Sequence, residues 1–284
     1  RQVQAAGMAE AKDFLAAHPL RYVVAPAALI AGTTLAYVIW QEQEPTRWIN
    51  FLFTVWLLWH YQRQNWGVHS FVTRVVSHGS ATTIEEWILR LAVVGGIIGG
   101  IRSAHFGAGT ELEQWAAPAF AMGTLITAVI PVLLVIAVAR VAALREAPLR
   151  LASLLMGACF FLPVFLFDDP KSAVATYALA HGLQYQVFMS YVARSTSAPT
   201  PPASRPVRPG LITLTACLVA VGYFLKQGGD YGLMQKWHLL PVFGLTLGAT
   251  MAHFVIDAGI WRLRDEFPRR YIGAAFPFLP RRAG

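Results

Sequence analysis

The sequence predicts an all-α, polytopic transmembrane helical bundle, and three observations predict it. Hydrophobic residues make up 56% of the 284 residues and charged residues only 13%, whereas a soluble domain carries about a quarter charged. The apolar residues fall in long blocks, each near the ~20 residues that cross a hydrocarbon core as a helix. Basic residues gather between the blocks with a pronounced sidedness, as the positive-inside rule requires.

The elements follow in order. Residues 1–21 predict a short amphipathic helix, with Ala5, Met8, Phe14 and Leu15 set against Glu10, Lys12 and Asp13. They lack the apolar core of a signal peptide. A transmembrane bundle is expected over 22–262, with spans at roughly 22–40, 48–66, 87–102, 116–140, 149–167, 172–193, 210–226 and 237–262. The third is short and carries Gly95, Gly96, Gly99 and Gly100, which would let another helix pack closely. Pro131, Pro163 and Pro241 fall inside spans, where bundles tolerate kinks. Residues 195–209 are rich in Pro and Ser and predict an extended cytoplasmic loop. Residues 263–284 form a basic cytoplasmic tail.

Charge orients the bundle. With eight spans, one side receives both termini, Arg74, Arg140, Arg145, Arg150 and Arg194, and the C-terminal arginines. The other receives few cations and Glu42, Glu44, Glu111, Glu113, Asp168 and Asp169. Both termini are therefore expected in the cytoplasm, and the chain in the inner membrane of a bacterium. This sidedness accounts for the net charge of +8, so no nucleic-acid partner is expected. Cys159 and Cys217 sit in apolar blocks as small hydrophobes, with no disulfide framework or thiolate metal spacing.

Three spans each carry a histidine with a hydrogen-bonding or metal-capable residue four positions on: His60 with Gln64, His181 with Tyr185, and His253 with Asp257. Such pairs share a helix face, and ionisable groups within a bilayer mark function. Spans two, six and eight run the same way, placing His60 and His253 in the cytoplasmic half and His181 near the middle. Neutral imidazole suits iron, copper, nickel and zinc, and a carboxylate shifts the preference toward iron or manganese. The expected metal ligands are His60, His181, His253 and Asp257, with His69 as a fourth nitrogen if span two extends or bends. Asp257 and Tyr185 are the candidate catalytic side chains. Gln64 and Gln184 are expected to hold the imidazole tautomers. Arg63 is expected to reach the interface or to neutralise an anionic group. No H-E-x-x-H or H-x-x-x-H string is present.

The His181–Gly182 pair near mid-membrane, His253 with Asp257 behind it, and His60 in an aromatic-rich segment together resemble the membrane-embedded bacterial β-carotene cleavage dioxygenases of the Brp/Blh type. More broadly, the chain is similar to histidine-rich membrane oxygenases and desaturases. The resemblance implies an all-helical bundle, histidine-bound iron and an isoprenoid substrate. The sequence thus points to a membrane metalloenzyme, with iron as the first metal, that oxidises an apolar or lipid-like substrate. The lipid bilayer and an electron-donor protein are its candidate partners. Two other readings stay open: a b-type haem electron carrier with axial histidines, and a proton-coupled transporter.

Overall fold

The structure, a computed structural model, describes residues 2–41, 43–77, 79–103, 114–167, 170–195, 220, 230–236, 238–262 and 265–267. Among these the chain is helical, with no strand. The helices are α1 (Gln2–Ala17), α2 (Ala25–Ile39, entered through a π-helical turn at Leu20–Val24), α3 (Glu44–Ser77), α4 (Thr83–Ser103), α5 (Ala116–Arg140), α6 (Ala142–Glu146), α7 (Pro148–Cys159), α8 (Pro163–Leu166), α9 (Pro170–Ser195), α10 (Tyr231–Lys236) and α11 (Leu240–Ile260). Apart from Ser195, which ends α9, and Ala220, the expected 195–209 loop and the span at 210–226 lie outside the described residues, as does most of the 263–284 tail.

Leu20–Ile39, Ala116–Arg140 and Leu240–Ile260 are long and apolar enough to cross a membrane. Helices α3, α4 and α9 are equally long but more polar. The expected single span at 149–167 is interrupted after Cys159. Pro163 has no N–H for the Cys159 carbonyl. The chain tightens instead, with Leu162 N–H bonding Cys159 O at 3.1 Å and Phe165 N–H bonding Leu162 O at 2.9 Å. Helix α5, by contrast, continues through Pro131.

The chain divides into two units, residues 1–49 with 185–284, and residues 50–184. In the first, α2 packs on α11 through small residues. Thr33 donates to the Gly244 carbonyl at 2.7 Å, and a Cβ at Gly248 would stand 2.6 Å from Ile30 Cα. Tyr37 meets Phe243 edge-on at 5.3 Å. Phe14 of α1 stacks on Phe267 at 4.7 Å, while Leu15 stays exposed.

In the second unit, α4 and α5 touch backbone to backbone. A Cβ at Gly123 would lie 2.5 Å from the Gly99 nitrogen and 2.7 Å from the Gly95 carbonyl. The expected close packing at this glycine run is therefore present. Arg145 on α6 closes the end of α5, its Nη1 donating to Val138 O at 2.6 Å and Ala139 O at 2.7 Å. These are carbonyls a helix C-terminus leaves without intrahelical donors. The outer face of α5 leaves Leu125, Val132 and Val135 bare, an apolar surface suited to lipid.

Candidate metal centre

Helix α3 runs well past the predicted end of span two, to Ser77. The extra turns carry polar residues that hydropathy reads as a boundary, of which His69 and Thr73 are fully buried. His60 therefore sits at the midpoint of α3, about 25 Å from either end at the usual helical rise, rather than toward one end of a shorter span.

In the second unit, α3 and α9 bring His60 and His181 together. His60 is buried, and the two ring centroids are 5.3 Å apart at 63°. Two imidazoles on one ion, with metal–nitrogen bonds of about 2.1 Å, place their centroids on the order of 5 Å apart. The spacing fits a shared metal. Tyr61 lies 4.6 Å from the His181 ring and is itself packed by Phe160 and Tyr177. This aromatic packing limits the rotation of the His181 imidazole.

Gln184 was expected to hold an imidazole, but its Nε2 donates to Asn65 Oδ1 at 3.0 Å. Asn65 donates in turn to Gln62 Oε1 at 3.1 Å, and Gln62 to the Leu89 carbonyl of α4. The amide ladder fixes α9 against α3, one turn from His181. Gln64 is half-buried, and its Oε1 is buried with no partner among the described residues. Arg63 and Trp59 are exposed.

His69 is not a fourth ligand. Nine residues carry it half a turn round the straight helix from His60 and about 13 Å along it. It is fully buried elsewhere, its Nδ1 2.9 Å from Ser153 Oγ of α7 and its Nε2 3.3 Å from Glu85 Oε1 of α4. Arg150 grips the same carboxylate with two bonds, Nε to Oε1 at 2.8 Å and Nη2 to Oε2 at 2.7 Å. Thr82 adds its backbone N–H at 2.6 Å and hydroxyl at 2.7 Å. Burial alone would push the Glu85 carboxyl up, but the bonds from Arg150, His69 and Thr82 outweigh it and hold the group well below the usual carboxylate range. Arg150 is accordingly a buried clamp at the end of α7, not a solvated loop cation.

The first unit holds the other expected residues. Tyr185 stands edge-on to His253 at 6.1 Å and to Trp261 at 6.4 Å. Asp257 is buried, and its Oδ1 accepts the Trp261 indole N–H at 2.8 Å. One carboxylate oxygen is thereby oriented, as a metal-ligating or proton-handling carboxylate requires.

Sequence reasoning missed the partners. Trp261 reads as an interfacial aromatic, although it follows Asp257 by one helical turn. Glu85 had a signal in Thr82-x-x-Glu85, a capping-box spacing. Arg150 and Ser153 had none, because contacts between distant helices leave no local pattern. No family model matches the chain, and no curated protein or solved structure is similar to it.

Proposed function

We propose that the chain is an integral membrane metalloenzyme in which His60, His181 and His253 bind one non-haem iron and oxidise an apolar, lipid-like substrate. The observation that carries the reading is the His60–His181 ring separation of 5.3 Å within one unit. His253 and Asp257 are assigned to the same ion on their sequence pattern. Bound by imidazole and carboxylate with open positions, iron supplies the capacity to activate oxygen. The residues do the rest. Tyr61 and Tyr185 pack against His181 and His253 and hold the imidazoles in place. Trp261 orients Asp257. Tyr61, Phe160 and Tyr177 form a wall that keeps water from the His181 side. An isoprenoid is the substrate class that the Brp/Blh-type resemblance suggests. The reading includes eight crossings with both termini in the cytoplasm of a bacterium, the fifth made by α7 and α8 with the turn between them.

The spacing favours this over a haem carrier. Axial imidazoles on either side of a haem iron stand about 6.5 Å apart by centroid, more than the 5.3 Å found. Metal analysis of the purified protein tests the proposal. Iron at about one per chain is expected, with loss on His60→Ala, His181→Ala or His253→Ala. Undiminished metal in all three variants would sink it, and an intense Soret band would restore the haem reading.

A further inference from the structure

At one end of the α2–α11 pair, two arginines sit without acidic partners. The apolar stretches Leu20–Ile39 and Leu240–Ile260 pack antiparallel, with Thr33 bonded to Gly244 and Ile30 against Gly248. The start of the first and the end of the second therefore meet. Arg21 stands at that start, and Arg262 just past that end. Neither side chain forms an ion pair among the described residues.

The local backbone gathers these groups. Leu20–Val24 is a π-helical turn behind Pro19, closed by the Ala25 N–H donating to the Leu20 carbonyl. Such turns recur at functional sites. In a regular α-helix consecutive side chains point about 100° apart. Here the neighbours Arg21 and Tyr22 both lie over Gly259 of α11. A Cβ at Gly259 would overlap the Tyr22 hydroxyl and stand 2.8 Å from Arg21 Cδ. Phe14 and His18 pack on the Tyr22 ring, with centroids at 5.5 and 6.4 Å, and so fix its orientation. The Tyr22 hydroxyl is buried and makes no hydrogen bond of good geometry among the described residues, although the Arg21 guanidinium lies beside it. A buried hydroxyl of this kind calls for a partner. The other charges that reach it are Arg262 and Asp265. Of the remaining acids nearby in sequence, Asp257 is engaged by Trp261 and Glu266 is exposed. Two guanidiniums against the Asp265 carboxylate leave the cluster positive.

We propose that Arg21, Tyr22 and Arg262 form a binding site for the headgroup phosphate of an anionic phospholipid. Guanidinium forks match phosphate oxygens, and the Tyr22 hydroxyl donates to the same group. The height of the site selects a lipid. The ends of membrane-crossing helices lie at the level of headgroup phosphates, and basic pockets between such helices bind anionic headgroups. The surplus positive charge selects a phosphodiester with no amine to balance it. Leu20, Val23 and Val24 are exposed beside the site and give the acyl chains an apolar surface. The site uses none of the histidines of the metal reading and stands whether or not they bind an ion.

The test uses the full chain in a neutral detergent, titrated with phosphatidylglycerol. Phosphatidylcholine of the same acyl chains and inorganic phosphate are titrated separately. Native mass spectrometry counts binding, and the melting temperature is followed alongside. Phosphatidylglycerol should bind more tightly than either and raise the melting temperature. Arg21→Gln and Arg262→Gln should each weaken its binding about tenfold or more, and Tyr22→Phe should weaken it less. Lys236→Gln removes the same charge before the opposite end of α11 and should leave binding unchanged. Arg21→Lys keeps the charge but loses the fork and should recover part of the affinity. Melting without lipid shows whether each variant folds; where a glutamine variant does not, the lysine variant at that position carries the comparison, with part of the loss expected. Wild-type affinity in the folded arginine variants, or an equal loss in Lys236→Gln, would overturn the site. Equal binding of phosphatidylcholine would overturn the anionic assignment, and equal binding of inorganic phosphate would overturn the lipid one.

Discussion

Glu85 shows how much one side chain can hold in this protein. It is fully buried and takes bonds from Arg150 and Thr82, with His69 alongside, at the junction of α3, α4 and α7. Removing one charge of such a pair leaves the other buried and uncompensated, which costs about 3–5 kcal/mol. Glu85→Gln should therefore destabilise the detergent-solubilised protein by that order, and Arg150→Met should do the same, as read by denaturant or thermal unfolding. The pH dependence has a definite sign. The folded carboxyl sits below its unfolded value, so its stabilisation is complete above the unfolded pKa of about 4.3. It is lost as pH falls through the folded pKa. Unfolding midpoints should depend on Glu85 down to about pH 4, and the wild type and Glu85→Gln should converge only in stronger acid. At the candidate metal site, the proposal predicts that Arg63→Ala leaves bound metal unchanged, because that side chain is exposed, whereas His69→Gln costs stability without costing metal. Retained metal in His69→Gln, measured by elemental analysis, checks the reassignment of His69 from ligand to clamp.

Among the elements, the extent of α3 and the break after α7 carry the most consequence. The i,i+4 histidine pairs were legible in sequence because helix periodicity is local. The His60–His181 pair needed α3 and α9 side by side. The true end of α3 was hidden, since His69, Thr73, Arg74 and Ser77 interrupt the hydropathy of its last turns, where His69 is held by Ser153 and lies beside Glu85. The glycine run of α4 was readable as a packing surface, but its partner, Gly123 of α5, was not. Gly123→Leu would drive a side chain into the α4 backbone at Gly95 and Gly99. Overpacking of this kind costs about 1–3 kcal/mol, and the backbone contact leaves little room to relax. The variant should lower the melting temperature of nanodisc-held protein, with Gly123→Ala milder. Thr33→Val should remove the Gly244 bond between α2 and α11 at a smaller cost, about 0.6 kcal/mol by the average for interhelical bonds in membranes.

For the whole molecule, three apolar helices and the bare outer face of α5 predict membrane integration. The protein should stay with the membrane pellet after alkaline carbonate or high salt and leave only with detergent; release by salt alone would remove the bilayer from the account. Composition and the spacing of apolar blocks determined by themselves that the described chain is helical, with helices long and apolar enough to cross a membrane, because burial of backbone polar groups in lipid allows few alternatives. Local periodicity likewise determined which histidines lie on helices and which neighbours share their faces. Only the tertiary structure decided that His60 meets His181, that His69 belongs to a buried clamp with Glu85 and Arg150, and that Asp257 is held by Trp261. The physical reason is one of range. Helix formation and hydropathy are set by residues a few positions apart, whereas a metal centre or a buried ion pair is set by distances between side chains far apart in the chain.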